Sequence, residues 1–106
     1  MGRKTDRRIE LHELLCSALG SRNVYFQPPE SLKLKYPAIV YGLNNVRTLA
    51  ANNKTNYKLD TSYKVTLIEH DPDSEIMLEL LTIPKCKFDS HYVADNLIHN
   101  VFTIYY

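Results

Sequence analysis

The stretch YPAIVYGL, Tyr36–Leu43, and the stretch TSYKVTLIE, Thr61–Glu69, decide the fold between them. In the first, Ile39, Tyr41 and Leu43 alternate with Ala38, Val40 and Gly42, so both faces are apolar or small. That pattern predicts a central strand covered on both sides, entered through Pro37. In the second, Tyr63, Val65 and Leu67 face one way and Lys64, Thr66 and Ile68 the other. Two neighbouring strands of this kind predict a wide hairpin. Between them lies RTLAANNKTNYKLD, residues 47–60, which breaks the alternation and carries three asparagines suited to turns. A polar loop of that length is expected to be functional rather than a mere connection.

Working outward, Leu11, Leu14, Leu15, Ala18 and Leu19 recur at helical spacing between Asp6 and Gly20. They predict an amphipathic helix over 7–19, preceded by a basic arm over 1–5. Arg7 and Arg8 fall in its first turn, the wrong sign for the helix dipole. Together with Arg3 and Lys4 they form either a solvated basic face or a contact for an acidic partner. Residues 23–27 read as a short edge strand stopped by Pro28 and Pro29. His70-Asp71-Pro72-Asp73-Ser74 reads as a helix start, with Ile76, Leu80 and Ile83 on one face, flanked by Met77 and Leu81, and Pro84 closing it. Phe88, Tyr92 and Val93 then begin an extended segment, Asp95-Asn96 is a tight-turn pair, and Leu97–Tyr106 returns as a last strand. The expected fold is α+β, one domain over 1–106. It has a mainly antiparallel sheet of about four strands with two helices packed on it.

The chain has 106 residues, 13 Lys+Arg against 12 Asp+Glu, eight tyrosines and no tryptophan. A net charge of +1 argues against a surface devoted to nucleic acid or anionic lipid. Three glycines leave little room for a phosphate-cradling loop. No apolar run is long enough to span a bilayer. The basic Met1–Arg8 segment leads into Glu10, His12 and Glu13 rather than an apolar run, so no signal peptide is expected. Cys16 and Cys86 read as reduced thiols.

The residues suited to chemistry have simpler uses. Asp71 and Asp73 are explained as helix-start residues beside His70. His91 and His99 flank the turn, roughly opposite each other, and read as hydrogen-bonding residues of the sheet rather than a metal pair. Asp89-Ser90-His91 has the residue types of a triad, but neighbours on a strand point to opposite faces. Catalytic, metal-binding and cofactor-binding residues are therefore not expected. Tyr57-Lys58 and Tyr63-Lys64 could stack on single-stranded nucleic acid, but no RNP-type aromatic motif accompanies them.

YPAIVYGLNNV, Tyr36–Val46, a polar loop, and then YKVTLIEHDPDSEI through the DNLIHNVFTIYY ending, Tyr63–Tyr106, cover most of the chain. The sequence resembles the small tail terminator, or tail completion, proteins of long-tailed bacteriophages that infect Gram-positive hosts. The resemblance implies an α+β subunit without catalytic residues. It also implies a homo-oligomeric ring, commonly a hexamer, at the head-proximal end of the tail tube. The ring stops tube growth and docks to the head connector or stopper protein, genomic DNA passes through it, and no membrane is involved. The location implied is the virion neck, after assembly in the host cytoplasm. The alternatives are another neck or head–tail joining protein, or a small nucleic-acid-binding accessory protein. The expected assembly contacts are Arg3, Lys4, Arg7 and Arg8, the loop residues Arg47, Lys54, Tyr57 and Lys58, and Tyr105 and Tyr106 on the last strand. That strand is also expected to be an edge, with Phe102, Ile104 and Tyr106 on the helices and Val101, Thr103 and Tyr105 toward a neighbour.

Overall fold

The computed structural model describes the backbone of residues 4–50 and 57–106, and side chains over 7–46 and 61–106. The elements run α1 (Lys4–Leu19), β1 (Val24–Phe26), β2 (Ala38–Ala50), β3 (Tyr57–Glu69), α2 (Ile76–Leu81), β4 (Cys86–Ala94) and β5 (Leu97–Tyr105). The strands form one sheet in the order β1-β2-β3-β5-β4. This is the expected α+β class with two helices, but the sheet has five strands and is mixed. The short β1 joins β2 in parallel, through Val24↔Ile39 to Phe26↔Tyr41. All other pairings are antiparallel.

Alternation sorts the side chains. Ile39 and Tyr41 of β2, Tyr63, Val65 and Leu67 of β3, and Phe102 and Ile104 of β5 share one face. There they form a single core with Leu11, Leu15, Cys16 and Leu19 of α1, Leu80 of α2 and Ile83 just after it. Leu14, expected on the buried stripe, is exposed, and Cys16 is buried in its place. On the opposite sheet face Ala38, Ile68, Leu97 and Val101 are also buried. Val101 is thus already covered within its own chain.

Turn chemistry fixes the connections. Gly20 ends α1 at φ 83°, its N–H donating to the Cys16 carbonyl at 2.9 Å. This is the left-handed helix stop that glycine adopts without strain. Asp95 and Asn96, at φ 54° and 63°, make the two-residue turn between Ala94 and Leu97. Positive φ at both central positions belongs to the type I′ hairpin turn, whose twist matches the strands it joins.

Four expectations are corrected. Residues 47–60 are not one loop: 47–50 belong to β2 and 57–60 to β3, paired from Arg47↔Asp60 to Ala50↔Tyr57. Residues 51–56, with Lys54, lie outside the described residues. Second, β5 is not an edge. It runs between β3 and β4, and β4 is the outer strand. Third, α2 begins only at Ile76, and Leu81 is exposed. The Asp71 carboxylate accepts from the Asp73 N–H at 2.9 Å and the Ser74 hydroxyl from the Ile76 N–H at 3.1 Å. These local turns compete with helical backbone bonding and delay the helix. Fourth, α1 begins at Lys4, so the basic arm over 1–5 is partly helical, Arg7 closes the first turn and Arg8 opens the second.

Glu69, the last residue of β3, is buried. Burial pushes its carboxyl above the ordinary value of 4.5, a Ser74 hydrogen bond opposes this, and Asp71 adds to it. A carboxyl with a raised folded-state pKa contributes stability below its unfolded value and loses it as pH rises through the folded one. Glu69→Gln should therefore be more stable than the native chain at about pH 7, with the gap closing as pH falls toward 4.5. Urea midpoints for both proteins at the two pH values check this.

Candidate functional site: a projecting arm and the α1–sheet junction

The register of β2 and β3 creates the first feature. β3 pairs with β5 only from Ser62↔Tyr105 to Glu69↔Ile98, and β2 pairs with β1 only through Tyr41. Beyond that, Val46–Ala50 pair with Tyr57–Thr61, and among the described residues only Thr61 keeps a further backbone bond, its carbonyl accepting from the Tyr106 N–H at 3.1 Å. The result is a two-stranded arm of five residue pairs, about 17 Å long at 3.4 Å per residue. It helps to give the molecule its extents of 51 × 24 × 22 Å. Arg47, Tyr57 and Lys58 are all carried on this arm. A register shift between Leu43 and Asn45 sets its base, where such a bulge bends and twists the ribbon. The exposed Leu43, Val46 and Tyr105 surround that base.

The second feature is the outer strand. Phe88, Tyr92 and Val93 of β4 are exposed, and so are Leu78 and Leu81 of the neighbouring α2. Phe88 stands edge-on to the buried Phe102, with centroids 5.6 Å apart. The β4 edge is also guarded: a register shift lies at Phe88/Ser90, and Asp89 there accepts a hydrogen bond from the Thr103 hydroxyl. Bulges and charges of this sort discourage indiscriminate edge pairing.

The two histidines of this hairpin are not opposite each other. His91 pairs with Asn100 and Tyr92 with His99, so the imidazoles lie on opposite faces. His91 Nδ1 is 2.6 Å from the Asn100 Oδ1, and His99 Nδ1 is 3.1 Å from the Leu97 carbonyl, its ring stacked on Tyr92 at 4.7 Å. Among the described residues no three His, Cys, Asp or Glu side chains cluster as metal ligands would. Cys16 and Cys86 are free, and burial pushes the Cys86 thiol up to about 11, with Asp89 adding to the shift.

The third feature is the junction between α1 and the sheet, which sequence reasoning assigned to solvent or to a partner. Arg3 lies outside the described residues and Lys4 opens the helix. Arg7 donates from Nε to the Tyr106 carbonyl at 3.3 Å, and its guanidinium lies 5.1 Å from the Tyr106 ring centroid. The Tyr106 hydroxyl donates to Glu10 at 3.2 Å. Arg8 stacks its guanidinium 4.2 Å from the Phe26 centroid and reaches the Tyr41 hydroxyl at 3.4 Å. Nδ1 of His12 is 2.8 Å from the same hydroxyl. So Arg7 and Tyr106 bind each other, Arg8 binds β1 and β2 within the chain, and Tyr105 alone of the last pair is exposed. The residue missed was Tyr41. Arg8 and His12 stand four apart and so share a helix face, which was a readable signal, but their partner lies on a strand far along the chain.

No protein-family model and no curated protein matches this sequence. Among the described residues no helix is long and apolar enough to cross a membrane.

Proposed function

We propose that the chain is a structural virion protein, the tail terminator of a long-tailed phage. It assembles as a ring, a hexamer on this reading, at the head-proximal end of the tail tube. The ring ends tube growth, offers its outer surface to the head connector or stopper protein, and lets the genomic DNA through. The sequence resemblance motivates the reading, and the arm is the observation that carries it. A two-stranded ribbon is marginal in water by itself, because each strand has only one partner and no packed face. A ribbon that stands clear of its own sheet gains from a neighbouring subunit or an adjacent ring. The exposed apolar side chains on β4 and α2 support the same reading, since exposed apolar surface of this kind serves interaction. A closed ring needs two different patches on each subunit, which meet head to tail. The arm and the β4–α2 edge are two such patches.

Sedimentation of the purified protein tests this. The expected species is near six times the 12.3 kDa of one chain. Tyr105→Ala should leave the monomer's stability within about 0.5 kcal/mol, as for exposed positions in general, and shift the distribution toward the monomer. A native chain that stays monomeric at high concentration would contradict the ring.

A further inference from the structure

We propose that His12, Tyr41 and Arg8 form an acid-releasable latch that fastens α1 to the centre of the sheet. Tyr41 is 1% exposed and sits on β2, in the middle of the core face. Its hydroxyl is the polar atom that α1 must satisfy there. Arg8 has only donors, so at 3.4 Å it can only give a hydrogen bond to the Tyr41 oxygen. The Tyr41 proton then needs an acceptor, and Nδ1 of His12, at 2.8 Å, is the atom in position. This assigns neutral His12 the tautomer protonated on Nε2. Burial pushes the Tyr41 hydroxyl up, which keeps it a neutral donor.

Protonation of His12 reverses the pattern. Imidazolium has two donors and no acceptor. The Tyr41 proton loses its partner in a buried site, and two cations now face one oxygen. Leaving a buried donor unpaired costs more than the bond itself was worth. The groups around His12 lower its pKa on balance, with Glu13 alone of those named opposing. From α1 come Arg8 and Glu13, and from the turn after α1 comes Arg22, paired bidentately with Glu13 at 2.8 and 3.0 Å. From β2 comes Tyr41, which in turn meets Tyr63 of β3 at 6.1 Å between centroids. β1 brings the Phe26 ring against Tyr41, 5.0 Å between centroids. Among the described residues no group of α2 acts on it. Burial first and then Arg22 lower the His12 pKa below 6.5; Glu13 opposes them, and Arg8 adds a smaller lowering. The sign follows by linkage: the unfolded imidazole binds its proton more readily than the folded one. The latch's contribution is complete above 6.5 and is lost as pH falls from there through the lower folded value.

The test is an NMR titration of the native protein from about pH 8 to about pH 4, a range that brackets histidine. His12 is assigned by the resonance missing in His12→Gln or, if that variant does not fold, through its bonds in the native chain. The His12 midpoint is expected below 6.5, and the Tyr41 ring resonances should shift with the same midpoint. In Tyr41→Phe the midpoint should move up, because the donor to the neutral ring is gone. Urea midpoints for His12→Gln should lack part of the acid loss seen in the native chain between about pH 7 and about pH 5. A His12 midpoint at or above the ordinary imidazole value, or Tyr41 resonances that do not follow it, would overturn the latch.

Discussion

Phe102→Ala should lower the unfolding free energy by roughly 3–5 kcal/mol, the range for emptying a fully buried phenylalanine site. Phe102 is fully buried at the middle of β5, flanked by Val65 on β3 and Phe88 on β4. The loss has two parts. The ring's apolar surface returns to an alanine's worth, and the space left can close only as far as Val65, Phe88 and the helices above can move. The edge-to-face contact with Phe88 goes as well. Because β5 is an inner strand, the gap opens in the middle of the sheet, where neither neighbour is free to collapse. Urea unfolding followed by circular dichroism measures this, with the slope against denaturant unchanged if only the folded state is affected. A loss below about 1 kcal/mol would mean that Phe102 is not in a packed core.

Removal of the arm should abolish assembly and leave the subunit folded. Val46 and Thr61 are a cross-strand pair, so residues 47–60 can be replaced by Asn-Gly, the two-residue turn that suits such a pair. Among the described residues, the strand backbone that the deletion takes away pairs only with itself. The deletion also shortens the loop, which lowers the entropy of closing the hairpin slightly. The thermal midpoint of the subunit is therefore expected to hold or rise, while the ring is lost in sedimentation. A shortened protein that still forms full rings would assign the seam to other surfaces, the β4–α2 edge first.

What the sequence made legible was local. Tyr36–Leu43 and Thr61–Glu69 alternate cleanly, and they are the central strands. Asp95-Asn96 demands left-handed backbone, and it turns the last hairpin. What stayed hidden depends on partners far apart in the chain. Nothing between Leu97 and Tyr105 says that β5 inserts beside β3, yet that placement turns an expected edge into core. Arg47, Tyr57 and Lys58 sit in a stretch whose asparagines and lysines disfavour strands, but pairing carried out from the apolar part of the hairpin overrides that propensity. Asp71 could cap a helix or turn onto its own backbone, and the second use shortens α2. At the junction, the pair Arg8 and His12 was visible as one helix face, but Tyr41 looked like any apolar strand residue. Only the fold brings its hydroxyl between them.

We propose that a ring of this protein ends the growth of a tail tube, and this can be watched directly. The direct measurement is electron microscopy of tail-tube subunits polymerising with and without the purified protein. Tubes should stop lengthening and carry one ring at a single end, with the arm-deleted protein leaving growth untouched. Tubes that elongate at the same rate, with no protein at either end, would contradict it.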